Sequence, residues 1–178
     1  MKLASKSKNR LELLETITEG ITSTEIFEND NFKKNSEDKL KKSIYPNLLN
    51  TLADRICDKR GFSKGLAREK AKTMIKIDDG KSQPISTTHF MGTSNKPSIT
   101  VESSGIRVAI EIKKGDRARN LKESFGESMI FSNVYDFVIY LFLDTTEETR
   151  IVKGSSGITE NNFLKNLWDN FNVKFTII

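Results

Sequence analysis

The chain has 178 residues, a net charge of +5, 36% hydrophobic and 30% charged residues, which suits one folded domain with a real core and leaves little room for two. Cys57 is the single cysteine and His89 the single histidine, so an intramolecular disulfide and a Cys-based zinc cluster are excluded, and a His-rich metal site, a Ser-His-Asp triad and a Cys-His pair are disfavoured. The basic start at residues 1–10 runs into Leu-Glu-Leu-Leu-Glu rather than the apolar stretch of a signal peptide. The longest apolar run, Phe137 to Leu143, is too short to span a bilayer, so a cytoplasmic protein with no membrane partner is expected.

In chain order, Leu11, Leu13, Leu14 and Ile17 predict a helix over Asn9 to Thr18 that stops near Gly20. Residues 29–35 are polar and read as a link. Ser36, followed by Glu37 and Asp38, predicts a capped helix start. Leu40, Ile44, Leu48, Leu52 and Ile56 then form one apolar stripe, with a kink or a new helix start expected at Pro46. Gly61 and Gly65 predict a break before a helix over Leu66 to Ile77. Residues 78–95 read as loop with one weak strand.

From Pro97 the period changes to two. Ile99 and Val101, then Val108, Ile110 and Ile112, alternate with polar or small residues on either side of Ser-Ser-Gly, which predicts a hairpin. Residues 115–132 predict a helix, Tyr135 to Leu143 a strand buried on both faces, Glu160 to Phe171 an amphipathic helix after a Gly154 to Gly157 turn, and Val173 to Ile178 a last strand.

With Ser104 and Gly105 as the two central turn residues, Glu102 pairs with Arg107, Thr100 with Ala109 and Ser98 with Glu111. Residues two apart on a strand share a face, so Lys113 lies beside Glu111. Glu102 is roughly 13 Å along the strand from Ser98 at about 3.3 Å per residue, too far to share a site with it, and reads as a cross-strand partner of Arg107.

The run Lys-Pro-Ser-Ile-Thr-Val-Glu, Ser-Ser-Gly, Ile-Arg-Val-Ala-Ile-Glu-Ile-Lys-Lys-Gly resembles the core of the PD-(D/E)xK nucleases, with Glu111-Ile112-Lys113 as the E-x-K element. The resemblance extends over about residues 36–145. It implies an α/β, restriction endonuclease-like fold, a central mixed β-sheet flanked by helices, over residues 31–178, with residues 1–30 as an N-terminal helical extension. It also implies phosphodiester hydrolysis with Mg²⁺ or Mn²⁺, the dication polarising a phosphate oxygen and making water more acidic. In that scheme Glu111 is a metal ligand and Lys113 orients the water or offsets charge in the transition state.

The family's metal-binding Asp is replaced by Ser98, and the positions matching the family's helical Gln and Tyr are Glu127 and Phe131. Glu127 would supply the missing carboxylate from the helix, and Glu37 would reach in from the first helix; each has a plain alternative as a solvated helix charge. Ser98, Glu111, Lys113, Glu37 and Glu127 are thus the candidate catalytic residues, and Glu111, Glu37 and Glu127 the candidate ligands. Asp78-Asp79 reads as a turn rather than a metal site, Gly80-Lys81-Ser82 lacks the rest of a phosphate loop, and His89 reads as a loop or packed residue.

Residues 39–76 hold eleven Lys or Arg against Asp54, Asp58 and Glu69, and such an excess favours polyanions through counterion release. Lys39, Lys41, Lys42, Lys59, Arg60, Lys64 and Arg68, with Lys114, Arg117, Arg119 and Lys122 beside the motif, are the candidate nucleic-acid contacts, DNA being the expected partner. Three readings stand: a metal-dependent endo- or exodeoxyribonuclease; a nuclease-like DNA-binding protein without catalysis; and an interaction subunit, which an exposed apolar patch on Leu11, Leu14 and Ile17 would favour. A homodimer or a larger complex is compatible with each.

Overall fold

The structure is a computed structural model that describes residues 4–25, 27, 31–78 and 84–178. Its centre is a five-stranded mixed sheet in the order β1-β4-β5-β6-β7, formed by β1 (Ile75–Ile77), β4 (Ile99–Ser103), β5 (Ile106–Gly115), β6 (Phe137–Asp144) and β7 (Val173–Ile177). β4 runs antiparallel to both β1 and β5, and β6 and β7 are parallel to β5. Two short strands, β2 (Thr88–Phe90) and β3 (Thr93–Asn95), form a separate hairpin. A mixed sheet flanked by helices is the architecture the resemblance implies.

One face of the sheet is covered by α1 (Lys8–Thr22), α3 (Glu37–Arg60) and α4 (Lys64–Met74), the other by α5 (Ala118–Ser132) and α7 (Ile158–Phe171). The first face packs Ile99, Val101, Val108, Ile110 and Ile112 against Leu40, Ile44, Leu48 and Leu52 of α3. The second carries Ala109, Val138, Tyr140 and Phe142 under Phe131 and Leu167. Strand β6 sends alternate residues into both cores, hence its unbroken apolar run.

Several expectations are corrected. α1 does not stop at Gly20; it runs on to Thr22. A Cβ at Gly20 would lie 2.9 Å from the Leu48 Cα, so this glycine permits close approach of α1 to α3 rather than ending a helix. Leu14 and Ile17 are buried in the α1–α3 contact, so they form no exposed patch that would favour the interaction-subunit reading, and α1 shares the main core. Pro46 neither breaks nor restarts α3, which is continuous from Glu37 to Arg60. Ser36 caps it, accepting from the Lys39 amide at 3.3 Å, and Gly61 closes it in the left-handed region at φ 63°.

The next helix begins earlier than expected, at Lys64 behind the Ser63 cap, and ends at Met74, because the β-branched Ile75 and Ile77 join β4 as an edge strand. The linking residues include a short helix, α2 (Asn31–Lys34), and the Gly154 turn is preceded by α6 (Arg150–Gly154). Asp79 and the Gly80-Lys81-Ser82 segment lie outside the described residues.

Candidate active site

The β4–β5 hairpin sets the site. Its turn is Ser104-Gly105, both at positive φ (50° and 75°), and the pairs Thr100 with Ala109 and Glu102 with Arg107 are formed as the sequence implies. A two-residue turn with both central residues left-handed matches the twist of the strands it joins. At the opposite end of the hairpin, Ser98, one residue before β4, meets Glu111. Glu111 Oε2 accepts from the Ser98 amide at 2.6 Å and from the Ser98 hydroxyl at 3.1 Å, while the Ile112 amide donates to Ser98 Oγ at 3.3 Å. Ser98 and Glu111 therefore face the same side, on adjacent antiparallel segments.

Glu111 is 8% exposed. Burial pushes its carboxyl up to about 8, the Ser98 amide and hydroxyl act against that, the Glu127 charge adds to it, and Lys113 opposes it. Burial wins because the two Ser98 donors are dipoles, whereas desolvation acts on a full charge. Lys113 is half-buried, two residues on along the same face.

α5 and β6 complete the cluster. Tyr140, paired with Glu111 across the parallel β5–β6 ladder, donates its hydroxyl to Glu127 Oε2 at 2.7 Å. Burial, reinforced by the Glu127 charge, raises the Tyr140 phenol, so it stays a donor. Ser124, one turn before Glu127 on α5, is also buried, and its hydroxyl has no hydrogen-bond partner among the described residues. Tyr140 and Ser124 were not singled out in the sequence: Tyr140 sits in an apolar run, and its polar tip is visible only once α5 is laid across the sheet. Phe131 is packed in the core of this face.

Glu37 comes to the same end of β5 from α3. Its Oε1 accepts from the Lys114 amide at 2.9 Å, so beyond the end of β4 the exposed edge of β5 is satisfied first by Ser98 and then by Glu37. Lys114 turns its ammonium to the Lys33 and Asn35 carbonyls at 2.8 Å each, so it is engaged within the protein rather than presented outward. Among the described residues no group of three or more His, Cys, Asp or Glu is arranged to hold a metal ion.

No family model matches the chain, and no curated protein matches it in sequence. It is similar to a chain in a solved restriction endonuclease PspGI–substrate DNA complex, at 14% identity, over 97% of this chain and 90% of that one, with a TM-score of 0.29.

The basic residues divide. Lys39 and Lys42 at the start of α3, and Arg117, Arg119 and Lys122 around the start of α5, are exposed at the end of β5 that holds Glu111 and Lys113. Lys41 is drawn inward, pairing with Asp38 at 2.8 Å and donating to the Asp78 carbonyl. Arg119 pairs with Glu123 at 2.8 Å and Arg117 more loosely with Asp116 at 3.8 Å. Lys59 and Arg60 lie at the other end of the 24-residue α3, roughly 26–32 Å from Lys42 and Lys39 at 1.5 Å per residue. Lys64 and Arg68 are exposed on α4, Arg68 bonded to Asn50. The charges expected to form one surface thus lie in two sets at opposite ends of α3.

Asp78 pairs with Lys96 at 3.6 Å. His89 is exposed on β2, 3.1 Å from the Ser94 hydroxyl. The buried Asp144 at the end of β6 is structural: its oxygens accept from the Thr146 amide and hydroxyl and from the Ile151 and Val152 amides, anchoring α6. Burial alone would raise it, but these bonds together hold it below its usual range.

Among the described residues no helix is long and apolar enough to cross a membrane.

Proposed function

We propose that the chain is a nuclease-fold protein acting on DNA, with Mg²⁺-dependent phosphodiester hydrolysis centred on Glu111, Lys113 and Glu127. The observation that carries this reading is the convergence at the end of β5 of Glu111, of Lys113 two residues on along the same face, and of Glu127, which is bonded to the Tyr140 that pairs with Glu111. A bound cation would compensate the charge on these carboxyls, burial disfavouring the ionisation of Glu111 here. Their oxygen-only donor set, with Ser98 and Tyr140 beside it, fits a hard dication. Glu111 and Glu127 would hold it, and when bound it would polarise a phosphate oxygen and make water more acidic.

The remaining roles belong to the chain. Ser98 fixes Glu111 through Oε2; Oε1 has no hydrogen bond among the described residues. Tyr140 orients Glu127. The Lys113 ammonium offsets charge that develops on the reacting phosphate, while Arg117, Arg119 and Lys122 hold the DNA backbone by charge. This binding should weaken steeply with added salt.

A second reading, a nuclease-like DNA-binding protein without catalysis, is favoured by Ser98 itself. Where an anionic ligand would stand opposite Glu111 there is a neutral hydroxyl bonded to that same carboxyl.

Cleavage of plasmid, single-stranded and branched DNA with Mg²⁺ and Mn²⁺ separates the two. If Glu127 is the second ligand, the native chain cuts, Glu127→Gln and Lys113→Ala abolish cutting, and Ser98→Asp changes little. If only Ser98→Asp cuts, charge opposite Glu111 is the missing item and Glu127 is no ligand. If none of the four proteins cuts any DNA but salt-sensitive binding persists, the hydrolytic reading fails and the binding reading replaces it.

A further inference from the structure

At the far end of α3, remote from Glu111, lies a second cleft of about 420 Å³ between α1, α3, α4 and the β4–β5 turn. Its volume falls within the range of small-molecule sites, about 300–1,000 Å³. Its floor is apolar, made by Leu52, Ile56, Met74 and Ile106, and its walls are cationic: Arg55, Lys59, Arg60 and Lys70, with Glu102 the one acidic side chain lining it.

The local pairing does not cancel that charge. Glu12 is shared by two cations, Lys59, which bonds to it directly, and Arg55 at 3.8 Å. Arg55 is held further by Thr16 and by the Asn9 carbonyl at 3.4 and 3.3 Å. Arg60 has no carboxylate partner among the described residues, and the Lys70 ammonium rests 5.0 Å from the Phe62 ring centroid. With Glu12 and Glu102 each offsetting one cation, two positive charges remain in a concavity with an apolar floor. The Ser103 and Ser104 hydroxyls line the same rim and make no hydrogen bond among the described residues.

A ligand matching this surface is a dianion joined to a flat apolar body. A phosphomonoester carries close to two negative charges at neutral pH, an arginine can grip it through two parallel hydrogen bonds, and serine hydroxyls suit its remaining oxygens. We infer that this cleft binds a nucleoside monophosphate, its phosphate between Arg60 and Lys70 and its base on the floor of Ile56, Met74 and Ile106. The same chemistry is presented by a free nucleotide and by the 5′-phosphorylated end of a nucleic-acid strand. A duplex backbone is a poorer match, because its phosphates are monoanionic diesters on a convex track, whereas this site is a pocket with an apolar base.

The test is isothermal titration calorimetry of the full chain with AMP, adenosine and inorganic phosphate, and with a short oligonucleotide bearing either a 5′-phosphate or a 5′-hydroxyl. AMP should bind about tenfold or more tightly than adenosine or phosphate alone, since each lacks one half of the match. Arg60→Ala with Lys70→Ala should weaken AMP about tenfold or more, and both side chains are exposed, so a melting curve should be little changed. Arg117→Ala with Arg119→Ala, at the other end of α3, should leave AMP affinity as it was. Preference for the 5′-phosphorylated over the 5′-hydroxyl oligonucleotide, lost with Arg60→Ala and Lys70→Ala, would assign the cleft to strand ends, and AMP binding without that preference would assign it to free nucleotide. The inference is overturned if AMP fails to bind at millimolar concentration, if phosphate alone binds as well as AMP, or if the Arg60 and Lys70 changes have no effect. It is also overturned if both oligonucleotides bind equally through Arg60 and Lys70 while AMP does not, which would make the cleft part of a backbone track.

Discussion

Strand β5 presents two faces of opposite character. Val108, Ile110 and Ile112 enter a core built with α1, α3 and α4 that is apolar throughout, while Ala109, Glu111 and Lys113, one residue out of step, lie under α5 among Ser98, Tyr140 and Glu127. A single strand thus supplies both the main stabilising surface and the polar cluster. Burying Glu111 is unfavourable in itself, and it is tolerated because the opposite face is so completely packed. The candidate site residues lie where the apolar pattern is broken.

The comparison is tested most severely on the apolar face. Leu48 is fully buried against α1 beside Gly20, and Leu48→Ala should cost about 3–5 kcal/mol in urea unfolding, from lost burial and the cavity left behind. A loss below about 1 kcal/mol would mean that this face is not the reservoir of stability.

The next largest effect belongs to Glu111 and depends on pH. Its folded value of about 8 lies above the ordinary 4.5, so the folded chain holds a proton that the unfolded chain releases. The stability it contributes is fully present below about pH 4.5 and is lost as pH rises to about 8. Glu111→Gln stays neutral throughout. Unfolding free energies measured in urea from pH 4 to pH 9 should show the native chain falling progressively below Glu111→Gln, by a few kcal/mol, on the order of 3, at the alkaline end. Parallel curves would show that burial does not hold the proton on Glu111.

The smallest effect isolates one hydrogen bond. Tyr140→Phe removes the donor to Glu127 while keeping the ring stacked on Phe175, so it should cost about 1 kcal/mol. If Glu127 is a ligand, the same change should raise the Mg²⁺ concentration needed for half-maximal cleavage. No change in either quantity would leave Tyr140 without a part in the cluster.

Much of this was legible in the sequence. The hairpin register followed from its alternation and its Ser-Ser-Gly turn, because a side-chain period of two leaves little choice of which residues share a face once the turn is placed. The α3 stripe and its Ser36 and Gly61 boundaries followed from helical spacing and local capping chemistry. These are short-range properties, set by residues within a few positions of one another.

Tertiary structure decided the rest. Gly20 reads locally as a helix stop, and only the approach of α3 explains why it is glycine. Ile75 to Ile77 reads as the end of a helix, and becomes a strand because β4 offers an edge for its amides. Tyr140 is one letter in an apolar run of seven until α5 brings Glu127 to its hydroxyl. The basic residues look like one block until the length of α3 separates them into a set beside Glu111 and a set around the second cleft. In each case the deciding partner lies far along the chain, and sequence proximity carries no information about which distant groups the fold will bring within bonding distance.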